Sequence, residues 1–215
     1  MAFATIAEGL AHLERHERAF LSLGKETMSA GGGALFTLDL YVMGAVKRSL
    51  AVSAGFRALV SHQNLLCAGA LLRMQLETAL RFFGVGLTTK PQEVALLLLG
   101  GAHLRKMKDR DGQLMTDAYL ARRLSEHAPW VQRVYQETSK FVHFTEKQIF
   151  AALVSVDDET RSFQMLLSRR DEVEDSVVLE AIEAFDAATR LLGGLIHEWK
   201  ELKNTPHQPA SKEKL

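Results

Sequence analysis

The chain has 215 residues, 47% of them hydrophobic and 24% charged, which suits one soluble globular domain and argues against wholesale disorder. Its 26 basic and 26 acidic residues cancel to a formal charge of zero, which excludes a strongly basic nucleic-acid arm and an acidic solvating tail and leaves only local basic patches. The most apolar run, 94–101, falls well short of the ~20 residues that span a bilayer, and no basic region precedes an apolar core at the N-terminus, so no membrane association and no secretory signal are expected.

Ile6, Leu10, Leu13, Phe20 and Leu21 keep a helical period, which predicts a first helix over 5–23 with Gly24 as its stop. His12 and His16 stand at i,i+4, a spacing able to hold a metal. Arg15 and Arg18 flank them and no third ligand is near in sequence, so the expectation is a solvated helix face and no metal site. Ser29-Ala30-Gly31-Gly32-Gly33 reads as a flexible joint near 29–34. It lacks the preceding strand and following Gly-Lys-Ser/Thr of a phosphate loop.

A second helix is predicted over 37–62, with Leu38, Tyr41, Val42, Ala45, Leu50, Val52, Phe56 and Val60 inward, and a third over 63–83, ending at Gly84-Val85-Gly86. Cys67, among Leu65, Leu66, Ala68 and Ala70, is expected to be a small buried hydrophobe, and a lone cysteine suits a reducing cytoplasm. Pro91 opens a fourth helix that is expected to reach 108, before a turn at Asp109-Arg110-Asp111-Gly112. Helices over 116–127 and from Pro129 to 144 follow.

After Glu146 two β-rich runs, 148–156 and 162–168, alternate so that Phe150/Ala152/Val154 and Phe163/Met165/Leu167 give each one apolar face, as in a hairpin. The last helix, 171–203, carries Val178, Ile182, Phe185, Thr189, Leu192, Ile196 and Trp199 in a coiled-coil-like stripe. Residues 204–215 are polar and read as a disordered tail. The expected fold is mainly α: one domain over 1–203, a bundle of six to seven helices with one β-hairpin inserted before a long C-terminal helix. The stripe and the hairpin edges predict a homodimer.

Two polar clusters interrupt apolar surroundings. Arg73 and Glu77 are i,i+4 on one helix face and can pair, and Arg81 extends the row. They read either as a structural brace or as a guanidinium held for a phosphate or carboxylate. Tyr135, Ser139 and His143 share a stripe of a later helix that also holds Lys140. Phe141, Val142 and Phe144 suggest an apolar setting for His143, which is either a satisfied structural histidine or a general acid/base. No Gly-x-Ser-x-Gly elbow accompanies Ser139, and no Glu-x-x-His marks a dimetal bundle.

An Arg73-x3-Glu77 helix, a later Ser139-x3-His143 segment, a hairpin and a long closing helix together resemble bacterial helical proteins of the HEPN-like superfamily, over roughly 65–199. The resemblance implies an all-helical, often dimeric protein of toxin or antiviral-defence type: a metal-independent endoribonuclease with no cofactor, acting on RNA and answering to a partner or antitoxin protein. His143 would activate the ribose 2′-hydroxyl and an arginine would stabilise the phosphorane-like transition state, leaving a 2′,3′-cyclic phosphate. Arg73, Glu77 and Ser139 would complete the catalytic set, and Arg81, Tyr135 and Lys140 would touch substrate. The family places an arginine ahead of the histidine with four to six residues between them. Here those positions hold Gln136, Glu137 and Thr138, so the guanidinium would come from Arg73, Arg81 or a second chain. The competing expectation is a non-catalytic helical interaction module in which the same residues brace the bundle.

Overall fold

The computed structural model describes residues 3–143, 149–150, 152–168, 170 and 173–205, and these are mainly helical, with a two-stranded antiparallel hairpin before a long C-terminal helix. Among them no helix is long and apolar enough to cross a membrane. The expected tail from 206 onward and strand positions 148 and 151 lie outside the described residues.

Helix α1 (Ile6–Ser29) starts at Thr5, whose hydroxyl accepts the Glu8 amide, and runs straight through Gly24. The glycine marks a close approach, not a stop. A Cβ there would lie 3.0 Å from Met43 Cε and 3.4 Å from Val46, both on α2 (Thr37–Ser61). Between the two helices Gly31–Gly33 make one 3-10 turn with positive φ at all three glycines. The Gly31 amide donates to Asn204 Oδ1 at 2.9 Å.

Helix α3 (Leu65–Gly86) begins at Asn64, whose side chain accepts the Cys67 amide. That start turns Cys67 outward, so the thiol is exposed instead of buried. Helix α4 (Pro91–Leu99) stops well before 108. At Gly101 (φ 90°) the chain turns back, with Gly101 N–H donating to Leu98 O and Ala102 N–H to Leu97 O, a glycine-dependent C-terminal closure. The expected turn after it is held by Asp109, whose carboxylate accepts the Asp111 and Gln113 amides. Helices α5 (Asp117–Ser125) and α6 (Trp130–Val142) pack on α3 and on each other.

Strands β1 (Leu153–Asp157) and β2 (Ser162–Met165) pair with Leu153 opposite Met165 and Val156 opposite Phe163. An irregularity between Leu153 and Ser155 shifts the alternation. The apolar face is therefore Leu153, Val156, Phe163 and Met165, without the expected Phe150 and Ala152. Ile149, Phe150 and Ala152 are not in the strand, and Leu167 lies beyond β2.

Helix α7 (Asp175–Asn204) turns its stripe into its own bundle: Ile182, Phe185, Thr189, Leu192 and Ile196 are buried and Phe185 stacks on Phe56 with ring centroids 4.3 Å apart. The stripe is consumed within the chain and offers no seam to a second copy. Helix α7 lies parallel to α1, since Gly9 meets Ile182, Phe20 meets Gly193 and Thr27 meets Lys203. At their common C-terminal end, Lys203 Nζ donates to Asp39 Oδ2 at 2.9 Å and Thr27 O at 2.7 Å, while Trp199 Nε1 donates to Asp39 Oδ1 at 2.8 Å. Deeper in the core Gln75 Nε2 donates to Ser49 Oγ at 2.7 Å and Thr189 Oγ1 at 3.1 Å, tying α3 to α2 and α7.

Candidate functional site

The residues singled out on α3 and α6 separate into two groups with different neighbours. Arg73 reaches from α3 to α6: its Nη1 donates to Tyr135 O at 3.1 Å and Ser139 Oγ at 3.4 Å, and its guanidinium lies 3.6 Å from the centre of the Tyr135 ring. Ser139 Oγ donates back to Tyr135 O at 2.7 Å, as serine does within a helix, so its proton is already committed. The three residues form a compact crosslink in which the planar guanidinium stacks on an aromatic face while its edge finds oxygen acceptors.

Glu77 does not join it. One turn along α3, its Oε1 accepts Arg81 Nη2 at 2.6 Å and Nε at 2.7 Å, and its Oε2 lies 3.6 Å from Arg48 Nη2 of α2. Arg81 also faces Asp117 of α5 at 3.4 Å, and Arg48 Nε donates to Thr78 Oγ1 at 3.0 Å. The expected Arg73–Glu77 pair is replaced by an Arg48–Glu77–Arg81–Asp117 row spanning three helices. An i,i+4 spacing permits a pair, but here Arg81, one turn further along α3, and Arg48 of α2 take the carboxylate. With Tyr41, Leu40 and Leu99, the Arg48, Glu77 and Arg81 side chains line an open cleft of about 390 Å³. Burial pushes the Tyr41 hydroxyl above its ordinary pKa against the opposing pull of Arg81 and Arg48.

His143 is the residue after the last turn of α6, with extended backbone (φ −108°, ψ 145°), and it is exposed, as is Val142. Of the residues expected to give it an apolar setting, Val142 faces out, Phe141 seats its ring over Gly69 of α3, and Phe144 lies outside the described residues. Lys140 extends along α6 to Glu137 at 3.3 Å. Arg73, Tyr135 and Ser139 are thus brought together, Glu77 and Arg81 sit together elsewhere, and His143 stands at the end of the helix.

No family model, curated protein or solved structure matches the chain.

A third cluster was hidden from the sequence. His12 Nε2 and His16 Nδ1 of α1 lie 3.1 Å and 2.8 Å from the same oxygen, Oδ1 of Asp186 on α7. The other oxygen, Oδ2, accepts Arg190 Nε at 2.8 Å. The histidines are therefore not a solvated face; their side chains are only 20% and 28% exposed and the carboxylate is 6% exposed. Burial holds the His16 imidazole below its ordinary pKa; Asp186 pulls the other way, while His12, Arg190 and Arg15 add to the lowering. The signal available in the sequence was Asp186 itself, a carboxylate directly after the inward Phe185, which a buried helix face tolerates only with partners.

Proposed function

We propose that the chain is a non-catalytic helical interaction module that self-associates through its hairpin, with the Arg73–Tyr135–Ser139 crosslink and the Arg48–Glu77–Arg81–Asp117 row serving as braces. The observation that carries this reading is the hairpin's apolar face: Val156 is 60% and Phe163 66% exposed, they face each other across the ribbon, and among the described residues neither strand packs extensively on a helix. A two-stranded ribbon is marginal by itself and gains stability from more strands or a packed face. A second copy supplies both, because each ribbon edge carries unpaired backbone groups and a two-fold axis makes the contact self-complementary. Zero formal charge opposes this association little.

Light scattering on the full chain at tens of micromolar tests the reading. The expected result is a dimer that a Val156→Lys/Phe163→Glu variant converts to a monomer without loss of helicity. A monomeric wild-type chain overturns it.

One observation favours a second reading, the HEPN-like ribonuclease: the Arg73–Ser139 contact holds a guanidinium one helical turn before His143. Incubation with mixed RNA in EDTA separates the two. Cleavage abolished by both His143→Ala and Arg73→Ala would favour the nuclease, and intact RNA favours the module.

A further inference from the structure

We propose that His12, His16 and Asp186 form a binding site for one divalent ion of the zinc class, α1 supplying two imidazoles and α7 the carboxylate. The three ligand atoms lie within 4.8 Å of one another, the one such group of His, Cys, Asp or Glu side chains among the described residues. Tetrahedral zinc with ligands at about 2.0–2.2 Å sets its donor atoms roughly 3.3–3.6 Å apart. The two nitrogen–oxygen separations here, 3.1 Å and 2.8 Å, need to open by less than about 1 Å to reach that range. The imidazoles come from adjacent turns of one helix, so α1 fixes their spacing before the ion arrives. Their rings already sit side by side, with centroids 4.1 Å apart.

The donor set selects the kind of ion. Two imidazole nitrogens and one carboxylate oxygen suit zinc and its borderline neighbours, and not calcium or magnesium, which prefer all-oxygen shells. Arg190 holds Oδ2, which leaves Oδ1 as the single ligating oxygen and orients the carboxylate from outside the shell. The partial exposure of both histidines leaves a fourth position open to water. A neutral ring that points its N–H at Oδ1 moves that proton to its other nitrogen and presents the lone pair. Arg190 and Arg15 oppose a cation electrostatically, and the affinity reflects the balance of three ligand bonds against that repulsion.

The test uses the full chain, stripped with EDTA and dialysed, titrated with zinc chloride by calorimetry and with cobalt chloride by visible absorption. The expected results are one saturable equivalent of zinc per chain, the intense d–d bands of four-coordinate cobalt, and a melting temperature that rises with zinc. His12→Gln and His16→Gln each weaken zinc binding by about 100-fold or more, beyond the ~10–100-fold typical of losing an outer-shell partner. His103→Gln, away from the cluster, leaves it unchanged. Equal affinity in the His12→Gln/His16→Gln double variant overturns the site, and so does a wild-type chain whose calorimetry, cobalt spectrum and melting temperature all ignore the metals. The second outcome makes the cluster a hydrogen-bonded clamp between α1 and α7 only. The wild-type cobalt and melting readouts decide the matter even where a variant fails to fold.

Discussion

Replacing Lys203 by Met isolates the energetic role of the ion pair that closes the C-terminal end of the bundle. Both side chains of the Lys203–Asp39 pair are fully shielded from solvent, with 0% exposure on each. Methionine keeps most of the apolar stem, so the substitution removes chiefly the ammonium and its bonds to Asp39 Oδ2 and Thr27 O. Asp39 then retains the Trp199 indole and the Phe36 amide but stays a buried, unpaired charge. Breaking a buried pair in this one-sided way costs about 3–5 kcal/mol. For a chain of this length that corresponds to a melting temperature lowered by roughly 6–20 °C. Adding Asp39→Asn removes the stranded charge and leaves mainly the Phe36 amide facing a poor acceptor, an unsatisfied donor worth about 1–3 kcal/mol. The double variant is therefore more stable than Lys203→Met alone. Urea unfolding followed by far-UV circular dichroism measures all three proteins. A Lys203→Met loss below about 1 kcal/mol, the range of exposed ion pairs, refutes the reasoning, and so does a double variant less stable than the single one.

Two further outcomes follow from packing and titration. Gly69→Ala would set a Cβ 2.6 Å from Phe141 Cγ, and since that atom is the root of the ring, the ring or the helix must move; a net loss of about 1–3 kcal/mol in chemical unfolding is expected despite alanine's better helix propensity. Burial pushes the Asp109 carboxyl up, but the Tyr119 hydroxyl and the Gln113 and Asp111 amides outweigh it and hold its pKa below the usual 3.8. The unfolded chain then binds the proton more readily than the native one, so this stability is present above the ordinary carboxyl range and is lost as pH falls through the lowered value. Tyr119→Phe makes the acid limb of a stability-against-pH curve shallower; an unchanged limb contradicts the assignment.

The long elements were legible because their apolar period survives in the packing: the inward set of α2 and the stripe of α7 are buried as their spacing predicts, except that Tyr41, Leu50, Val178 and Trp199 are only half-buried. The errors came from residues whose local meaning depends on a distant neighbour. Gly24 resembles a helix stop until Met43 and Val46 are seen against it, whereas Gly100-Gly101, taken as part of a helix, ends one. Coiled-coil spacing shows that a stripe packs, not whether its partner is another chain. The candidate site fared less well for the same reason. Arg73, Tyr135 and Ser139 do meet, as helix faces bring them together, but Glu77 is drawn off by Arg81 and Arg48, and Asp186 reaches His16 across most of the sequence. His143 sits where α6 ends, and a boundary misplaced by two residues is enough to turn an apparently inward side chain outward.

The parallel pairing of α1 with α7 also governs when the protein can acquire its native form. Its contacts join residues 174 and 176 positions apart, so they add to the contact order and cannot form until nearly the whole chain exists. On a ribosome α2 can pack on the first helix soon after it emerges, but the side of α1 that meets Ile182 and Gly193 must wait uncovered until the last helix is made. Closure comes only when the last helix slots in beside it. Deleting the last turns of α7 should therefore strand the N-terminal helix as well, and a nascent chain cut short before it is the form most exposed to aggregation.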